Sequence, residues 1–124
     1  MVNRPGALAS TDANFEYLLR ARGFSAHLIE RLDELPPGKP ILVITSPKSE
    51  SGMLVTYLLA YFAWPRPLLG IFADQGHVDA EVERMPVSRV SAIFFCDLEP
   101  PASLPQTERF GRHLAVATLE RRSR

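Results

Sequence analysis

Apolar blocks recur along the chain at Ile41–Thr45, Leu68–Ala73, Val90–Cys96 and Leu114–Leu119. The first shows no polar alternation, so both of its faces are expected to be covered, as in a buried, largely parallel sheet with helices packed on it. Between the first two blocks lies Met53–Trp64, apolar almost all the way round, which Pro65 ends as a helix. This strand–helix–strand order predicts a right-handed βαβ unit. The second strand is expected over 68–73, followed by a turn at Asp74-Gln75-Gly76-His77. A short amphipathic helix on Val78, Val82 and Met85 then stops before Pro86, and a third strand covers about 89–96. The stretch from Asp97 to Gly111 shows no firm helix. A last strand over about 113–120 alternates Leu114, Val116 and Thr118 against Ala115, Ala117 and Leu119. With no crossover helix before it, this strand is expected antiparallel, at an edge. The pattern therefore predicts an α/β fold with a four-stranded, mostly parallel sheet.

Ahead of the sheet, residues 1–10 read as an arm. Thr11 is placed to cap a helix, with Asp12 in its first turn, a stripe on Phe15, Leu18 and Leu19, and a stop at Gly23. Ser25 is placed to cap a second helix, with Phe24 and Ile29 as a hydrophobic staple. Leu28, Ile29, Leu32 and Leu35 form its apolar face, and Pro36 ends it. The two make an N-terminal helical hairpin expected to cover one side of the sheet. Residues 11–120 read as a single domain, and 121–124 as a basic tail.

Composition changes this picture little. With 124 residues, 46% hydrophobic and 23% charged, the chain has the makeup of one soluble globular domain. Fourteen lysines and arginines balance fourteen aspartates and glutamates, which leaves no overall electrostatic footprint for nucleic acid. A lone cysteine, Cys96, excludes an internal disulfide and a cysteine-based zinc site. Met1–Ser10 has no apolar stretch for a secretory signal, and Met53–Trp64 falls short of the roughly 20 residues a membrane span needs. The expectation is a soluble, cytoplasmic protein without a transmembrane segment, envelope-associated only as part of a larger assembly.

Candidate chemistry gathers where ligands bind such sheets, outside the carboxyl ends of the strands. The loop Thr45-Ser46-Pro47-Lys48-Ser49-Glu50-Ser51-Gly52 leaves a buried strand and enters a helix N-terminus, where hydroxyls, Lys48 and backbone N–H groups suit a phosphate or carboxylate. It lacks both glycine-rich phosphate motifs, and Glu50 opposes an anion, so a plain capping loop through Ser49 or Ser51 is the stronger expectation. Asp74 and Asp97 follow the second and third strands and are placed to share a cleft, for a metal or acid–base work or, more simply, as turn residues. Cys96 reads as a core thiol, because Asp97 beside it disfavours the thiolate. His27, His77 and His113 share no ligand spacing, so neither a metal nor another cofactor is expected. No catalytic set is recognisable.

The central helix carries more apolar surface than a helix outside a small sheet needs. Met53, Tyr57, Tyr61 and Trp64 are its candidate interface, and a homo-oligomer or a protein partner is the implied occupant. The segment Val55–Pro67, with Tyr57, Tyr61, Pro65 and Arg66 after the strand Ile41–Thr45, resembles a helix–strand junction of small Rossmann-like domains in uncharacterised bacterial proteins, several of them associated with the cell envelope. The resemblance implies a small Rossmann-like domain of unassigned activity, accessory to a membrane-linked system, and carries no catalytic residues. Arg66 itself is placed to cap helix carbonyls. The expectation is thus a non-enzymatic interaction module associating through 53–64. The alternative is a small nucleotide- or sugar-phosphate-binding enzyme domain using Ser46, Lys48, Ser49, Ser51, Gly52, Asp74 and Asp97.

Overall fold

The computed structural model describes residues 26–50, 52–85, 89–104 and 106–119. The arm, the Thr11 helix with Phe15, Leu18, Leu19 and Gly23, the Ser25 cap and Phe24 staple, Ser51, Pro86 and the tail 121–124 lie outside them. The described elements are α1 (Ala26–Asp33), β1 (Ile41–Thr45), α2 (Gly52–Phe62), β2 (Leu68–Phe72), a 3-10 turn at Gln75–His77, α3 (Val78–Arg84), β3 (Ala92–Cys96), β4 (Thr107–Phe110) and β5 (Leu114–Thr118). The fold is α/β around one mixed sheet.

The sheet has five strands in the order β2-β1-β3-β5-β4, not four. β1 pairs in parallel with β2 and β3, while β5 runs antiparallel to both β3 and β4. The expected antiparallel last strand is therefore correct in direction and wrong in place. β5 is internal and fully buried, and β4 takes the edge. The missed strand, Thr107-Glu108-Arg109-Phe110, buries only Phe110, so it gives no apolar signal to a reading based on hydrophobic blocks.

Side chains alternate between two cores. Ile41, Val43, Ala92, Phe94, Leu114 and Val116 meet α1 and α2 on one face. Leu42, Ile44, Ile93, Phe95, Ala115 and Ala117 meet α3, Leu98 and Leu104 on the other. That two-sided cover is why β1 and β3 read as unbroken apolar runs: all five residues of each are buried. β2 departs from the buried strand expected of it. Its pattern is largely open, because it lies at an edge and α2 leaves Gly70 uncovered.

α1 buries Leu28 and Leu32, with Leu35 just beyond it and Ile29 packed alongside. Its far side reaches the β4 edge. Glu108 accepts hydrogen bonds from Arg31 Nε (3.1 Å) and Nη2 (2.8 Å) and meets His27 Nε2 at 2.6 Å. The His27 ring also tilts against Phe110 at 5.5 Å. Burial alone raises the Glu108 pKa, but the bonds from His27 and Arg31 outweigh it and hold this carboxyl below its usual range. At the other end of α1, Arg66 donates to the carbonyls of Leu35 (3.0 Å), Leu32 (3.4 Å) and Pro36 (3.5 Å). It acts as a C-terminal cap from a distant segment.

Candidate functional site

Two regions stand out, one polar and one apolar. From β1 the chain moves outward to β2, then returns to β3 on the other side of β1. The carboxyl ends of β1 and β3 thus lie side by side at the point where the order reverses, where open α/β sheets place ligands. There Ser49 Oγ donates to Asp97 Oδ2 at 2.5 Å, and Asp97 Oδ1 meets His113 Nδ1 at 2.5 Å. The Asp97 backbone N–H also donates to the His113 carbonyl at 2.7 Å. Asp97 adopts a left-handed backbone (φ 56°), which a short polar side chain tolerates. One carboxylate therefore clasps the β1–α2 loop, the end of β3 and the β4–β5 turn. Beside it, Gln75, Glu99, Arg109 and Arg112 join Asp97 and His113 around an open hollow of about 240 Å³.

The loop at the centre of the anion expectation is largely self-satisfied. The Ser46 N–H donates to the Cys96 carbonyl, the Ser49 N–H to the Ser46 carbonyl, and the Lys48 N–H to Ser46 Oγ. Those donors would have to be freed before they could hold a phosphate. Ser49 turns to Asp97, Lys48 and Glu50 lie in solvent, and Ser51 is outside the described residues. Gly52 has a packing role. A Cβ on it would stand 2.4 Å from Thr45 Cγ2, so only glycine lets α2 start this close to the end of β1.

Asp74 and Asp97 do not come together. Asp74 pairs with His77 (2.6 Å) and lines a separate hollow with Pro47, Phe72 and Arg84. β1 stands between the strands the two aspartates follow. The hydrogen bond with His77 holds the Asp74 carboxyl below its usual range. Cys96 is fully buried, and burial, added to by the negative charge of Asp97 and only partly offset by a hydrogen bond with Ser49, pushes its thiol up to about 11. It is protonated at neutral pH and a poor nucleophile. Among the described residues no group of His, Cys, Asp or Glu has the makeup of a metal site, and no helix is long and apolar enough to cross a membrane.

Sequence reasoning weighed His113 only as a metal ligand and gave it no place beside Asp97. A signal was present in part: an antiparallel β5 beside β3 brings the start of β5 to the end of β3, and the register decides which residues meet. The register Cys96↔Leu114 places Asp97 against His113 in this way.

The apolar region is α2 with β2. Met53 (79% exposed), Tyr57 (73%), Trp64 (54%), Leu54, Leu69 and Phe72 (67%) are large hydrophobic side chains open to solvent. All of them fall within 53–72, where the one charged residue is Arg66, turned inward onto the carbonyls beyond α1. α2 buries Val55, Leu58, Leu59 and Phe62 on the sheet and presents Met53 and Tyr57 outward; it ends at Phe62, two residues short of the expected Trp64, which is exposed in the turn that follows. The fourth residue of the expected stripe, Tyr61, is half-buried against the first core and edge-on to Phe62 at 5.2 Å. Comparison with protein-family models, curated proteins and solved structures finds no match to this chain.

Proposed function

We propose that this chain is a non-enzymatic association module that joins a second copy of itself through the α2–β2 side. One observation carries the reading: among the described residues, the exposed large apolar side chains all come from one nearly charge-free stretch of sequence, 53–72. At roughly 150–250 Å² per aromatic side chain, the open fractions of Tyr57, Trp64 and Phe72 alone amount to roughly 400 Å², about half of the about 800 Å² each partner of a stable complex buries. The one charged side chain of the stretch, Arg66, turns inward, so its outward apolar side chains complement a like set, which favours a second copy over a charged partner. In this reading the domain is Rossmann-like in layout, uses its scaffold for assembly, and serves as an accessory part of a larger system, in keeping with the resemblance of its helix–strand junction.

Sedimentation of the wild type and of Tyr57→Glu tests it. The wild type is expected to be associated at micromolar concentration, and the variant to sediment as a folded monomer because a charge on the outward face of α2 is costly to bury. A wild type that stays monomeric up to millimolar concentration contradicts the reading.

A second reading, a small-ligand enzyme domain, draws on the meeting of Ser49, Asp97 and His113 at the carboxyl edge. Thermal-shift screening against nucleotides, sugar phosphates and divalent metals tests it, since binding raises the melting temperature by linkage. A shift that disappears in His113→Ala or Lys48→Ala supports it, and the absence of any shift counts against it.

A further inference from the structure

The interface can be taken to a specific register. Ile41 donates to the Pro67 carbonyl, and Ala73 donates to the Thr45 carbonyl. Backbone groups alternate in direction along a strand, so Pro67, Leu69, Ile71 and Ala73 turn their N–H and C=O groups toward β1. Leu68, Gly70 and Phe72 turn theirs to the open edge.

Those three residues are symmetric about Gly70. We propose that β2 pairs antiparallel with β2 of a second copy on a two-fold axis through Gly70, which extends the sheet across both chains. Gly70 then lies opposite the partner's Gly70, and Leu68 opposite the partner's Phe72. Each of these hydrogen-bonded pairs exchanges two bonds, so every outward group of the three residues is satisfied at once. A slip of one residue breaks this match and moves each side chain to the opposite face. In the proposed register Phe72 of one chain lies next to Leu68 of the other on the α2 face, and Leu69 next to Ile71 on the α3 face.

Gly70 supplies an independent reason. Glycine weakens a strand interior and marks places where another backbone comes close. Nothing among the described residues requires it there: its φ is not left-handed, and an added Cβ would meet none of their atoms within 4 Å. β2 also lacks the devices that block edge pairing, since Leu68-Leu69-Gly70-Ile71-Phe72 holds no charge and no proline. The second copy's backbone supplies what this edge leaves open.

This inference rests on the association reading above, and its test separates the two. Gly70→Pro removes an N–H that faces away from β1, so the chain's own ladder is kept while the two central bonds between copies are lost. Gly70→Lys fits the open space and sets like charges opposite each other across the axis. Sedimentation is run on the wild type, Tyr57→Glu and both Gly70 variants, with thermal melts to verify folding. The expected result is a wild-type mass of two chains, and dissociation constants raised roughly tenfold or more by either Gly70 change, with melting of the monomer preserved. A wild-type dimer that Tyr57→Glu disrupts but neither Gly70 variant weakens overturns the β2 pairing and leaves the helix reading standing. A monomeric wild type overturns both.

Discussion

At one edge of the sheet β4 carries Thr107, Glu108, Arg109 and Phe110, and at the other β2 carries Leu68, Leu69, Gly70, Ile71 and Phe72. The β4 edge is short and charged. Glu108 ties it to His27 and Arg31 of α1, and Arg109 pairs with Glu99. The β2 edge is longer and uncharged, and beside it α2 also presents apolar side chains to solvent. Charge on an edge strand blocks pairing with other chains. The same chain thus guards one edge and leaves the other bare, so the bare edge is a feature of one side of the molecule and not of its composition.

The most damaging single change to the bare side is expected at Gly52. An Ala there drives a Cβ into Thr45 Cγ2, so the buried Thr45 side chain or the start of α2 must shift, at a cost of about 1–3 kcal/mol. Urea unfolding should show that loss together with weaker association, and an unchanged midpoint would mean that α2 does not start against Thr45.

A smaller effect is expected at the guarded edge. Glu108→Gln leaves the part-buried Arg31 with Glu34 as its remaining carboxylate among the described residues and should cost about 1–2 kcal/mol, without altering sedimentation. If it did alter sedimentation, the two edges would not be independent. The pH dependence follows in sign. A carboxyl held below its usual pKa by folding adds stability above its unfolded pKa, and that stability is lost as pH falls through the lower folded value. The gap between wild type and Glu108→Gln should therefore be full at neutral pH and close under acid.

The smallest effect is expected midway between the edges. Cys96 should resist alkylation at pH 8 in the wild type and in each edge variant that stays folded, because burial keeps its thiol protonated. Prompt labelling of a variant would show that its core has opened, and prompt labelling of the native wild type would contradict the burial itself.

The contrast between the edges also marks what the sequence made legible. β1, β3 and β5 announce themselves, since burial on both faces requires unbroken apolar runs. β4 does not, because a guarded edge is made of the residues that also fill loops. Its sign was spacing and not hydrophobicity: 107–110 and 114–118 are separated by a three-residue turn containing Gly111, a hairpin length. β2 looked like a buried strand because its residues are as apolar as those of β1, and sequence alone does not say which apolar strand lies at an edge. The exposed stripe of α2 followed from counting how much surface one face of a small sheet can hide, except at Tyr61, which is partly taken into the core. In the polar cluster, Ser49 and Asp97 were legible from their places after strands. His113 required the pairing of β3 with β5, a long-range contact that no local pattern reports.

Hydrogen exchange at single-amide resolution along β2, measured over a range of protein concentrations, reads the pairing of the two copies residue by residue. The Leu69 and Ile71 amides face β1 and should be protected at every concentration. The Leu68, Gly70 and Phe72 amides face the open edge, and their protection is predicted to rise with concentration as copies pair. Exchange at those three amides that stays fast and independent of concentration would contradict it.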